Sequence, residues 1–174
     1  MCLKSRRVWH TLHMLHHGTG SYQRLGVRSF QMASAVLVQA TPQQVWDVFS
    51  DAKGWPAWSR VCTGVWGLSP DLWAVGARLS FRLRMAHVGV PFSVRVTRSE
   101  PPSCVAWDST EFTVTAVRTF TFAAQDSGTL VTDHKRFSSP ILPIGLWYPR
   151  RLIRAMTNAW LAGLKAEAER RTER

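Results

Sequence analysis

GARLSFRLRMAH, residues 76–87, is the stretch on which the reading of this chain turns. Leu79, Phe81, Leu83 and Met85 alternate with Arg78, Ser80, Arg82 and Arg84. A period of two places the apolar set on one face of a strand and the charged set on the other. After Gly89 the pattern returns over residues 91–100, with Phe92, Val94 and Val96 set against Ser93, Arg95 and Thr97. Pro101 and Pro102 turn the chain. Residues 105–109, 114–123 and 130–138 continue the series, the last two separated by the turn-rich 125–128. Upstream, residues 61–69 read as one more strand, and ASAVLVQA at 33–40 opens the set. Short strands joined by Gly and Pro turns predict an antiparallel meander, wet on one face only.

The apolar face needs a cover. Thr41 followed by Pro42 reads as an N-cap and a first helical position, so residues 43–50 form a helix with Val45, Trp46, Val48 and Phe49 on one side. DAKGWPAW, residues 51–58, reads as a second short helix broken by Gly54 and Pro56. Only residues 144–171 are long enough to close the sheet. There Leu146, Trp147, Leu152, Ile153, Met156, Trp160 and Leu164 recur at helical spacing, and Glu167 and Arg171 form an i,i+4 pair. Arg150, Arg151 and Arg154 interrupt this segment too often for it to span a bilayer. The fold class is α+β: a meander sheet around one long C-terminal helix, with two short helices after the first strand.

A chain of 174 residues fits one domain with a real core. Residues 1–32 stand apart. They carry +5 of the +11 formal charge and no acid, and they read as a basic, disordered extension or as sequence ahead of a start at Met32. An organelle transit peptide is a third reading of the segment. The patterned domain is then 33–174. The remaining positive charge is scattered, with no run of five basic residues and no base-stacking motif, so a basic solvated surface is expected and nucleic acid is not a partner. Cys2, Cys62 and Cys104 are odd in number and widely spaced, which supports neither a disulfide framework nor a zinc site, and fits a reducing, cytoplasmic location. His10, His13 and His17 have helical spacing but no carboxylate or thiol nearby, so no metal is expected. Nine Trp against two Tyr point either to large, partly wet cavities and interfaces or to plain aromatic core packing.

Five pieces in order carry a resemblance. They are Ala40-Thr41-Pro42-Gln43-Gln44-Val45-Trp46, Gly54-Trp55-Pro56-Ala57-Trp58-Ser59, Val75-Gly76-Ala77-Arg78-Leu79, Glu100-Pro101-Pro102-Ser103-Cys104-Val105-Ala106-Trp107 and Gly128-Thr129-Leu130-Val131-Thr132-Asp133-His134. Together they resemble the helix-grip fold of the START/Bet v 1-like (SRPBCC) superfamily, and within it the polyketide cyclase/dehydrase-type branch. The resemblance implies an internal cavity between sheet and last helix. It implies no particular catalytic residue, because the superfamily includes aromatase/cyclases, lipid and sterol carriers, stress-related binders and co-chaperones.

In that fold the candidate lining residues are Trp58, Trp66, Phe81, Leu83, Phe92, Val94, Trp107, Phe120, Phe122, Trp147, Met156 and Trp160. They either surround a ligand or fill the core. Arg118 shares strand parity with Val114, Ala116, Phe120 and Phe122 and so points inward, unless a bulge or an open strand end intervenes. A buried guanidinium needs an anionic partner: Asp108, Glu111, Asp133 or a ligand oxygen. His134 is the candidate proton carrier, on a strand where either face is open to it. No Ser/His/Asp set, carboxylate pair, phosphate loop or metal cluster is visible, and no cofactor is expected. The leading expectation is binding of a small lipophilic or aromatic metabolite by a monomer or homodimer. The alternatives are a cofactor-independent cyclase or dehydratase using Arg118 and His134, and a non-enzymatic, co-chaperone-like module using the basic convex face.

Overall fold

The computed structural model describes residues 20–85 and 87–173, and these form the expected α+β helix grip. The strands are β1 (Gly20–Gly26), β2 (Ser29–Val38), β3 (Cys62–Trp66), β4 (Arg78–Met85), β5 (Val88–Glu100), β6 (Cys104–Glu111), β7 (Val114–Gln125) and β8 (Gly128–Ser138). The helices are α1 (Pro42–Ser50), α2 (Trp55–Trp58), α3 (Ile144–Trp147) and α4 (Arg150–Thr172). All strands lie in one antiparallel sheet, ordered β1-β2-β8-β7-β6-β5-β4-β3. From β3 to β8 each strand pairs with its successor, and β8 returns to β2.

The alternation in 76–87 sets the inner face as expected. Leu79 and Phe81 are buried while Arg78, Arg82 and Arg84 are exposed. Thr41 caps α1 with a capping box: its hydroxyl accepts from Gln44 N, and the Gln44 side chain accepts from Thr41 N at 2.9 Å. The far end of α1 leaves carbonyls that its own turns cannot satisfy. Two indoles meet them: Trp55 Nε1 donates to Phe49 O at 2.7 Å and Trp73 Nε1 to Ser50 O at 2.9 Å.

Two expectations need correction. Folded structure reaches back to Gly20, so residues 20–32 are strand and turn, not a disordered extension. The cause is apolar: Phe30 is fully buried and stacks on Phe137 at 4.8 Å, and Met32 is buried beside it. Residues 1–19, with His10, His13 and His17, lie outside the described residues. Second, the helix expected over 144–171 is interrupted. Tyr148 is extended, with φ −59° and ψ 145°, because the residue before a proline is disfavoured in the helical region. Pro149 then starts α4. The i,i+4 pair holds, Arg171 Nε lying 2.7 Å from Glu167 Oε1.

The interior divides into two clusters. The larger centres on α1 and α2: Phe49, Trp55, Leu79, Val96, Phe120 and Trp160 are among its fully enclosed side chains. The smaller joins Phe30, Met32, Val114, Phe137 and Ile144, with Tyr148 and Ile153 packed against it. Gly145 lets α3 press on the β1–β2 turn: its N–H donates to Val27 O at 2.9 Å, and a Cβ there would collide with Gly26 O.

Candidate functional site

Between the two clusters the packing is incomplete. A cavity of about 140 Å³ opens there, walled by Phe81, Val94, Trp107 and Trp160 of the larger cluster and by Phe137, Tyr148 and Ile153 of the smaller. Leu83, Phe92 and Met156, all expected as lining, also contribute. Tyr148 and Pro149, at the break before α4, are part of its wall, so the residues that interrupt the last helix also shape the cavity.

The other expected lining residues lie elsewhere. Phe120 and Phe122 are consumed by packing on α1, Phe49 approaching them at 4.8 and 5.2 Å between ring centroids. Trp58 stands behind Trp160, edge to face at 5.2 Å. Trp147, on α3, is 60% exposed. Trp66 pairs with Ser80 on the outer face, 42% exposed, with the Arg82 guanidinium over its ring at 5.5 Å.

Arg118 faces inward and lines the cavity, as parity predicts. Of its four anticipated partners the structure selects Asp133. Arg118 Nε donates to both carboxylate oxygens at 3.1 Å and Nη2 to Oδ2 at 2.6 Å. The guanidinium is further held over Phe120 at 4.4 Å, Trp160 at 5.4 Å and Trp107 at 5.7 Å. His134 does not join it. Burial along β8 alternates, so Asp133, Lys135 and Phe137 face inward while His134 lies on the other side of the sheet. Arg118 and His134 therefore stand on opposite faces of the sheet.

The group that sequence reasoning missed is Lys135. It lines the cavity at 8% exposure, its Nζ donating to Asp133 Oδ2 at 2.6 Å and to Thr157 Oγ1 at 2.7 Å. The Thr157 hydroxyl, from α4, donates in turn to Ile153 O at 2.8 Å. The signal was present in the strand parity that puts Lys135 with Val131 and Phe137, but a lysine in an alternating strand usually marks the wet face.

The charges are unequal. Asp133 is fully buried, and burial pushes its carboxyl up, but Arg118 and then Lys135 pull harder and hold it ionised below its ordinary range. One carboxylate thus serves two cations. Burial, and then the repulsion of Arg118, bring the Lys135 ammonium down to about 7, against the pull of Asp133. Burial raises the Tyr148 phenol, keeping it protonated. Among the described residues no cluster of three or more His, Cys, Asp or Glu could hold a metal, and no helix is long and apolar enough to cross a membrane.

Comparison with known proteins agrees with this fold. A family described as polyketide cyclase/dehydrase and lipid transport matches residues 29–169. No curated protein matches the sequence. Among solved structures, the di-domain aromatase/cyclase StfQ from the steffimycin biosynthetic pathway superposes with a TM-score of 0.70 at 12% identity, over 85% of this chain and 53% of its own. The chain thus spans about half of that di-domain protein. The ZhuI aromatase/cyclase from Streptomyces sp. R1128 gives 0.67 at 16% identity, over 90% and 96%. Major latex-like protein 151 from Panax ginseng gives 0.69 at 9%, over 81% and 98%. At such identities the likeness is one of fold.

Proposed function

The chain belongs to the polyketide cyclase/dehydrase and lipid transport family, and from that premise we propose that it binds a small aromatic or lipophilic molecule in the cavity between its two core clusters. The observation that carries this reading is the cavity itself, with aromatic and aliphatic walls and polar side chains gathered around Arg118 and Lys135. Pockets for small molecules have this composition. Size narrows the choice. A volume of about 140 Å³ is that of a benzene-sized void, well under the roughly 300–1,000 Å³ of drug-sized sites. A single aromatic ring fits the volume without rearrangement; a sterol or polycyclic polyketide requires lining side chains to move, and Leu83, Met85 and Met156 are half-buried ones.

Thermal-shift and NMR titration against single-ring aromatics, fatty acids, sterols, flavonoids and polyketides tests this. Single-ring aromatics stabilise the protein and shift resonances of Trp107 and Trp160. No response to any compound in the panel overturns the reading.

A second reading draws on Lys135. An amine near 7 beside a fixed guanidinium is suited to exchange protons with a substrate whose carbonyl Arg118 polarises. It supports a cofactor-independent cyclase or dehydratase in which Lys135 takes the part first considered for His134. Loss of turnover of a poly-β-ketone substrate in Lys135→Met, with turnover kept in His134→Ala, is the expected outcome. Unchanged turnover in Lys135→Met removes this reading.

A further inference from the structure

We propose that the Arg118–Asp133–Lys135 cluster makes the cavity a receptor for an aromatic monoanion, an arene carboxylate or phenolate whose ring lies against the apolar walls. The proposal rests on the reading of the cavity as a binding site and adds the charge of its ligand.

Two counts on the site lead to it. The first is of charge. Arg118 and Lys135 share the single carboxylate of Asp133, so the ionised cluster carries one positive charge in excess. An unbalanced charge in an apolar interior is costly, and a bound monoanion cancels it. The second is of hydrogen-bond donors. Arg118 engages Nε and Nη2, leaving Nη1 with no hydrogen bond to the described residues. Lys135 uses two of its three N–H bonds. Trp160 is 2% exposed and lines the same cavity, yet its buried Nε1 has no acceptor among the described residues. Both oxygens of Asp133 are engaged, and the Thr157 hydroxyl both accepts and donates. The Ser109 and Tyr148 hydroxyls on the same wall can both donate and accept, whereas Arg118, Lys135 and Trp160 can only donate, so the surplus is of donors. What complements it is an acceptor with more than one lone pair, which a carboxylate or phenolate supplies. The rings that box the Arg118 guanidinium fix its position before any ligand arrives.

Neutral aromatic ligands would fill the volume, leave the donors unmet and, while Lys135 is protonated, leave the charge unbalanced as well. The groups around Lys135 are few: Arg118 from β7, Thr157 and Met156 from α4, Tyr148 from the α3–α4 junction, Met32 opposite on β2, and on its own strand Asp133, with His134 and Arg136 behind the sheet. None but Asp133 is an anion. With the ammonium held near 7, a bound anion restores its proton, so binding above that pH takes up a proton from solution.

Isothermal titration of the full chain with benzoate and its neutral analogues benzyl alcohol and toluene, from about pH 6 to about pH 8.5 in two buffers of different ionisation enthalpy, tests this. Benzoate is expected to bind at least about tenfold tighter than benzyl alcohol at the acid end. Its affinity then falls towards about tenfold per pH unit above 7, with close to one proton taken up. Lys135→Met loses that tenfold preference and keeps toluene binding; should this variant not fold, the wild-type pH profile alone decides. Benzoate binding no tighter than benzyl alcohol, or unchanged across the range, overturns the proposal and leaves cavity binding intact. If none of the three binds, both readings fail.

Discussion

Leu79 and Leu83 stand on the same strand and the same face, two pleat repeats apart, and meet different interiors. Leu79 is wholly enclosed in the larger cluster. Leu83 is half-buried on the cavity wall. The difference comes from what lies above the strand. At the Leu79 end, α1 and α2 deliver Trp46, Phe49 and Trp55, and Trp73 joins them in a continuous set of ring contacts. At the Leu83 end, α4 has only begun after the Pro149 break, and it presents Ile153, Met156 and Thr157. Alternation in a strand decides which face is apolar, but whether that face is filled depends on elements far away in sequence.

The charged corner separates the two ends most sharply. Asp133→Asn removes the counter-charge that Arg118 and Lys135 share among the described residues, and breaking a buried pair in this way costs about 3–5 kcal/mol; chemical denaturation measures it. A loss below about 1 kcal/mol would mean that both cations already reach water, and the cavity would then be an open cleft. Next comes the pair of leucines. Leu79→Ala leaves a void among packed rings and costs about 2–5 kcal/mol, whereas Leu83→Ala costs less than about 2 because its surroundings are already partly empty. Equal losses at the two positions would break the comparison.

The effect of Lys135→Met is smaller and of opposite sign. Its ordinary value in the unfolded chain lies well above its folded value of about 7, so from 7 upward the unfolded state binds more protons and stability rises with pH. The variant removes this dependence. It should be more stable than the parent at neutral pH, by about 1–2 kcal/mol after the loss of the hydrogen bonds to Asp133 and Thr157 is set against the buried charge, and that advantage should shrink as the solution becomes alkaline. A variant less stable than the parent at pH 7 would mean that the hydrogen bonds to Asp133 and Thr157 outweigh the cost of the buried cation.

These sites differ in how far the sequence announces them. The meander, the cap at Thr41-Pro42 and the inward Arg118 are local, set by periods and turn residues within a few positions. The break at Tyr148-Pro149 is equally local, yet the apolar spacing on both sides of it hides the interruption. The N-terminal strands were obscured by the charges around them; what orders residues 20–32 is Phe30 against Phe137, more than a hundred residues away. The cavity is less legible still. Phe92 lines it and Phe120 does not, although both alternate inward, because α1 reaches one and not the other. Lys135 is hardest to see, since its burial depends on Asp133 from its own strand, Arg118 from the next and Thr157 from a helix.

His134 provides the mildest test, and it bears on register alone. It faces Ala33 of β2 and Thr119 of β7 across the sheet, with its neighbours Asp133 and Lys135 turned the other way. Burial lowers its pKa, so as pH falls through the ordinary imidazole range the unfolded chain takes up a proton before the folded one and stability declines. His134→Ala removes that acid loss, a change of less than about 1 kcal/mol visible only below neutral pH. Ligand affinity at pH 7 should not move, because no part of the ring reaches the cavity. An affinity change of about tenfold or more would require β8 to be shifted by one residue, a slip that would carry Asp133 and Lys135 outward with it.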